Sequence, residues 1–471
     1  MPPNRRDTVG MLSTRAAAAL YVGAVLGPGV LIVPALASEA AGPASVLAWA
    51  VLLALSAPLA ITFAALGVRY PEAGGTAAYA RAAFGSRIGA ITGWWFLAGV
   101  VLGAPAVALV GGFYVAELLG VGREAAVAGA VVMMGTVTVA NLVGLRTSAR
   151  LGLGLAALLA ALLLVAVVTA LPESRAEHWT PFAPHGWAAV GTAASLLMLS
   201  FIGWEAVSHL AGELRDPARQ LPRAIFGALA VVVVLYLGLA IATVGVLGTA
   251  EPTDVPLADL MAAGLGEAGR TATAAIAVLL TMGTMNAYVA AAVKLAGALS
   301  EEGSAPAWLA RPDRALAAFA VVAGLLLAPL GADVLSLDGL VRATSAAFVA
   351  VYVTATAAGV RLLSGAARRA AAVACAAVIV VLGFSGPYLA VPAAIALIGV
   401  SLPAGARPCP HVSRSARRHP ERAVEADDLA VQHRVLDDVS GQVGVLLRAA
   451  ETLRMRHLVA ERGARLLGEA G

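Results

Sequence analysis

Apolar runs of about 20 residues, each long enough to cross a bilayer core, recur along the first 400 positions of the chain. Short loops rich in charge, Pro or Gly separate them. The runs fall at 16–38, 45–68, 88–118, 124–143, 150–171, 187–211, 224–249, 270–298, 315–332, 339–361, 370–385 and 387–403, with Gly386-Pro387 as the turn inside the last pair. In lipid the backbone must satisfy its own hydrogen bonds, so these runs are predicted to be helices. The strict alternation of a membrane barrel is absent. The first run follows Arg5, Arg6 and Arg15, and Ala35-Leu36-Ala37 has the form of a signal-peptidase site. The length of the run and its central Gly27-Pro28-Gly29 argue for a retained span. The pattern predicts an all-α integral membrane protein with about twelve transmembrane helices.

Composition agrees: 60% of residues are hydrophobic and 13% charged, against about 25% charged in soluble domains. Of the 60 Asp, Glu, Lys and Arg residues, 20 follow Gly405. The net charge of +4 therefore does not point to nucleic acid, because the positive residues sit in loops and in the tail. With the N-terminus in the cytoplasm, 17 positive residues fall in inner segments, and only Arg123, Arg175, Arg270 and Arg342 fall outside. Twelve spans then place both termini inside an inner (plasma) membrane. The expected organisation is a cytoplasmic N-terminus at 1–15, a membrane domain at 16–403 and a basic cytoplasmic tail at 404–471. Residues 406–428 read as a linker, and 429–468 as amphipathic helix on the inner leaflet or as a solvated tail. Cys375 and Cys409 suit neither a structural disulfide nor a metal site.

Lipid penalises polar groups and broken helices, so both are informative. Leu26-Gly27-Pro28-Gly29-Val30 lies midway along span 1. Pro28 removes a backbone donor, and the flanking glycines loosen the chain further. The helix is expected to unwind there and to present free N–H groups and a positive dipole end, a site suited to a carboxylate. A packing kink is the other reading. Ser200-Phe201-Ile202-Gly203-Trp204-Glu205 lies midway along span 6 and places a carboxylate deep in an apolar run. Glu205 reads as a structural partner of unwound backbone or as a proton-linked group. His209 and Glu213 continue the same helix face toward a basic loop and read as a gate cluster. The breaks fall in the first helices of two possible five-helix halves, at 16–171 and 187–361, with extra helices at 370–403. Interruptions at corresponding positions of two halves point to a transporter site.

These residues resemble the amino acid–polyamine–organocation permeases. Gly27-Pro28-Gly29-Val30 with Val33-Pro34-Ala35 is similar to the family's first-helix motif, which usually carries a small polar residue between the glycines. Tyr70-Pro71-Glu72-Ala73-Gly74-Gly75, with Tyr79, Phe84-Gly85 and Gly93-Trp94, is similar to its loop between spans 2 and 3. Phe201 to Glu205, Glu213 to Pro217 and Leu221 to Ala224 resemble its sixth span and following loop. Lys294 to Gly303 with Pro306 resembles the loop after span 8, although Glu301-Glu302 replaces more basic residues. Within the superfamily, three of these stretches are nearest to the bacterial exporters of L-methionine and branched-chain amino acids. The tail lies outside the resemblance.

The resemblance implies a LeuT-type fold, two inverted five-helix repeats plus two helices, with a zwitterionic substrate held at the breaks. Its carboxylate would meet N–H groups near Gly27 to Val30, and its ammonium the carbonyls freed around Ser200 to Gly203. Phe201 and Trp204 are candidates for the wall or gate of an apolar pocket, or for plain packing. Asn286 and Tyr288 interrupt an apolar run on span 8 and either line the path or bond between helices. Pro28 offers neither N–H nor hydroxyl, and so departs from the family pattern. The expected activity is secondary transport of methionine, leucine, isoleucine and valine, with export as the direction. An uptake permease for another amine, and a membrane sensor with the tail as output, are the alternatives. The coupling ion is a proton, through Glu205 or His209, or sodium, near Gly23 with Thr281 or Thr284. Span 5 has no charged residue between Arg150 and Glu173, where some relatives use a lysine. No HExxH, nucleophile motif or GxxxxGK[ST] is present, so no enzyme, metal, cofactor or pump is expected.

Overall fold

The computed structural model describes residues 13–70, 75–144, 149–205, 214, 217–248, 253–331 and 334–401. The expectations for His209, Glu213, Cys409 and the tail fall outside these residues, as do Pro71 to Gly74 of the loop motif. The described chain is α-helical, and nine of its helical segments are long and apolar enough to cross a membrane.

The chain opens with α1 (Thr14–Val25), which Ser13 caps by accepting the Ala16 N–H at 3.2 Å. It runs on through α2 (Val33–Ala41), α3 (Ser45–Arg69), α4 (Thr76–Phe84), α5 (Ser86–Leu119), α6 (Arg123–Leu142) and α7 (Ala149–Ala170). Then follow α8 (Ala188–Leu197), α9 (Pro217–Ala242), α10 (Pro256–Glu301), α11 (Pro312–Gly331), α12 (Leu337–Leu362), α13 (Gly365–Gly383) and α14 (Ala390–Ser401). Most of these bounds match the apolar runs to within a few residues. The exceptions are two broken spans and two amphipathic helices that hydropathy does not see.

The first amphipathic helix is α4, which occupies the loop between the second and third spans. Arg81 on it pairs with Glu302 at the end of α10 at 2.5 Å, and Arg361 on α12 sits over Phe84 at 5.6 Å. The second is the start of α10. Gly266 has φ 68°, a left-handed conformation that suits glycine, and it turns residues 256–265 away from the membrane-crossing remainder. Arg270 lies just past that turn and reaches Asp259 at 2.8 Å and Glu117 on α5 at 3.0 Å. Gly264 packs this short arm onto α7, because a Cβ there would lie 2.6 Å from the Thr169 backbone.

Burial separates central from peripheral helices. α12 and α5 are mostly buried, with Phe113, Tyr114, Phe348 and Tyr352 in the core. α6, α11 and α13 turn large apolar residues outward, among them Val132 and Val139, Val321 and Leu325, and Val373 and Val380. Exposed apolar faces of this extent suit lipid rather than water. The membrane body therefore wraps a core of α1, α3, α5, α8, α9, α10 and α12, and both broken spans lie inside it.

Candidate functional site: two interrupted helices against each other

The first break is made by its own sequence. α1 ends at Val25, and Leu26 and Gly27 leave helical geometry, with Gly27 at φ −94° and ψ 172°. Residues Pro28–Leu31 then form one 3-10 turn before α2 begins. Pro28 sits at the first position of that turn, where its missing N–H takes nothing from the helix. Local bonds hold the segment: Gly27 N–H donates to Val25 O at 2.8 Å, and Ile32 N–H to Gly29 O at 3.2 Å. The Gly29 N–H has no backbone acceptor among the described residues. It sits at the start of a turn, where donors lack an intrahelical partner.

The second break is made by its neighbours. α8 tightens into a 3-10 turn over Met198–Phe201, Ile202 becomes extended, and Gly203 takes φ 133°. Gly203 is in intimate contact with the end of α1, since a Cβ there would lie 2.1 Å from Ala24 O. Its N–H donates to Glu205 Oε2 at 2.9 Å and to the Tyr352 hydroxyl at 3.2 Å. The Tyr352 hydroxyl, on α12, in turn donates to Glu205 Oε2. Glu205 Oε2 thus accepts from the unwound backbone and from α12 together.

Tyr236 on α9 joins the two breaks. Its hydroxyl lies 2.9 Å from Val25 O of the first and 2.9 Å from Ser200 O of the second. A phenol has one proton, so it donates to one carbonyl at a time. The Ser200 side chain is buried without a partner among the described residues. Its Oγ lies 3.3 Å from where a Cβ on Gly29 would stand. Freed carbonyls, a free N–H and an unused hydroxyl therefore converge where the two interrupted helices touch.

Two cavities flank this junction. The first has about 50 Å³ of free volume. Gly27 and Gly29, Val100 and Gly103 of α5, and Thr344 and Phe348 of α12 are among its walls. The second has about 230 Å³ and lies between α1, α7 and α10, with Gly23, Leu26, Gly27, Leu155, Thr284 and Tyr288 on it. The first cavity has room for only a few waters, at about 10–15 Å³ of such volume each.

The other expected residues divide. Leu26 and Val30 are buried beside the first break. Phe201 packs between Trp49 and Tyr236, at ring distances of 5.7 and 5.5 Å. Trp204 is fully buried, and its Nε1 donates to Ser56 Oγ on α3 at 3.1 Å. Both rings therefore back the second break, and the aromatic walls of the first cavity are Phe348 and Tyr288. Asn286 accepts from Asn141 on α6 at 2.8 Å, an interhelical bond. Thr281 and Thr284 each bond their own helix, to Ala277 O and Leu280 O. Thr284 also lines the second cavity, as does Tyr288. Among the described residues, no group of His, Cys, Asp and Glu could hold a metal ion.

The sequence reading passed over Tyr236, Tyr352 and Tyr114, whose hydroxyl donates to Leu31 O at 3.0 Å just past the first break. A signal was available. A buried tyrosine hydroxyl in an apolar run needs an acceptor, and within lipid free carbonyls occur where helices unwind.

Comparison with known proteins agrees with this geometry. The family model described as amino acid permease matches residues 12–385. The chain is 36% identical over 403 residues to the uncharacterized amino acid permease YecA of Bacillus subtilis, covering 81% of this chain and 92% of that one. It is 30% identical over 399 residues to the L-methionine/branched-chain amino acid exporter YjeH of Escherichia coli, covering 81% and 91%. It is 28% identical over 252 residues to the branched-chain amino acid permease BcaP of B. subtilis, covering 49% and 54%. With nearly the whole membrane body matched, the chain belongs to the amino acid permease family of the amino acid–polyamine–organocation superfamily, as a multi-pass protein of the cell membrane.

Proposed function

We propose that this permease is a secondary active transporter that exports neutral, apolar amino acids such as methionine, leucine, isoleucine and valine. One observation carries the reading: the interrupted helices meet, with Gly203 against Ala24 O and Tyr236 bridging Val25 O and Ser200 O. The substrate carboxylate meets the Gly29 N–H and the positive start of α2. The ammonium meets the carbonyls around Ser200, and the side chain enters the cavity walled by Val100, Val107, Val341 and Phe348. No charged side chain is among that cavity's described walls, which disfavours lysine and glutamate. Similarity over 81% of the chain to a protein named as an exporter supports the direction.

Alternating access then works between two inverted halves, α1 to α7 and α8 to α12, with α13 and α14 as additions. With a cytoplasmic N-terminus, the second cavity, beside the start of α7, faces the cytoplasm in this reading, and the excess of positive charge in the inner loops supports it. A proton is the coupling ion in this reading, and Glu205 is the group that carries it.

The test is flux in inside-out vesicles with and without a proton gradient, comparing labelled methionine and leucine with lysine and glutamate. Gradient-driven accumulation of methionine and leucine is expected. Glu205→Gln keeps an acceptor oxygen for Tyr352 and is expected to retain exchange while losing accumulation. Accumulation of lysine instead would remove the substrate assignment. The absence of flux under either gradient would remove the transport reading.

A further inference from the structure

We infer that the Tyr288 ring is the partition between the two cavities, and that its hydroxyl is a ligand for the substrate carboxylate. Among the described residues, only Gly27 and Tyr288 line both cavities. Gly27 has no side chain, so the Tyr288 ring is what separates them. A Cβ on Gly27 would lie 3.9 Å from the Tyr288 hydroxyl, which therefore stands over the first break. That hydroxyl has no hydrogen-bond partner among the described residues. The other tyrosines at the junction, Tyr236 and Tyr352, are bonded to backbone or to Glu205.

Two consequences follow. Packing alone holds the ring, and the nearby Gly283 and Ala287 on the second cavity's wall are small. Turning the ring joins a space of about 50 Å³ to one of about 230 Å³, which together admit an amino acid that the first cavity does not. The free phenol also stands over Gly27, the residue before Pro28, whose backbone cannot donate. It supplies there the donor that the proline lacks. The second consequence rests on the transport reading, whereas the partition rests on the cavities alone.

The test uses the full chain with Cys375 and Cys409 replaced by serine, and a charged methanethiosulfonate reagent applied to either face of sealed vesicles. Thr284→Cys, in the second cavity, identifies the face from which that cavity is reached. From that face Thr344→Cys, in the first cavity, is expected to label slowly. Adding Tyr288→Ala is expected to raise that rate about 10-fold or more, the shift expected when a closed state is lost. Tyr288→Phe keeps the ring and is expected to leave labelling unchanged, while weakening leucine about 5-fold, as for one lost hydrogen bond. Labelling of the alanine variant at the parent rate would overturn the partition, and so would equal acceleration by Tyr288→Phe. Unchanged leucine affinity in Tyr288→Phe would overturn the ligand role. The labelling needs no transport, so loss of amino acid flux in the parent protein would sink the transport reading and leave the partition standing.

Discussion

The two interruptions differ in what holds them open. In the first, Pro28 and two glycines make the break, and short-range bonds such as Gly27 N–H to Val25 O maintain it. In the second, a single glycine at φ 133° depends on Tyr352, Glu205 and Tyr236, supplied by α12, the chain just beyond the break and α9. The first is made by its own segment, with Tyr236 and Tyr114 capping carbonyls at its two ends, and the second is a property of the packed molecule. A break held by side chains from elsewhere can be released when those helices move, so the α8 side is the natural moving part. This suits a transporter, which needs a fixed point of binding and an element with two arrangements.

The sharpest way to break that comparison is a side chain at each glycine. Gly203→Leu places its Cβ 2.1 Å from Ala24 O, at a φ that L-residues rarely adopt. Transport is expected to fall about 100-fold or more, as for a misplaced site, with normal insertion checked by detergent size exclusion. Gly29→Ala meets Ser200 Oγ at 3.3 Å, with Val33 and Leu199 at ordinary contact distance, and is expected to keep most activity. Equal loss in both variants would mean that the breaks are held alike.

A smaller effect is expected from the bridge. Tyr236→Phe removes the hydroxyl that bridges Val25 O and Ser200 O, and is expected to lower leucine kcat/KM about 10-fold, near 1.4 kcal/mol. The smallest effect belongs to the locally made break. Pro28→Ser returns an N–H and a hydroxyl there while Gly27 and Gly29 keep the turn open. Leucine KM is expected to fall about 3-fold, a fraction of one hydrogen bond. A rise in KM would show that the proline ring itself shapes the site.

Much of this was legible in the chain. The apolar runs mark helices such as Ser86–Leu119 and Leu337–Leu362 because lipid leaves the backbone no other choice. Gly27-Pro28-Gly29 marks the first break because its cause is local. Gly203 with Glu205 marks the second only as an anomaly, since the partners that make it a break, Tyr236 and Tyr352, lie 33 and 149 residues from Gly203. Phe201 and Trp204 illustrate the same limit. Their position beside Gly203 suggested a pocket wall, but which way a ring turns is decided by Trp49 and Ser56 on α3. The helix Thr76–Phe84 and the arm at 256–265 were missed because hydropathy registers lipid, and these segments pack against protein at the membrane's edges.

The central claim is that one substrate is gripped at both breaks, carboxylate at the first and ammonium at the second. Competition for labelled leucine exchange in proteoliposomes tests it most directly, using leucine beside 4-methylpentanoate, which lacks the ammonium, and isopentylamine, which lacks the carboxylate. The account predicts that leucine competes and that each half-molecule fails, even at about 100-fold higher concentration, because each leaves one set of backbone groups unpaired. Competition by either half-molecule at leucine's own concentration would contradict it.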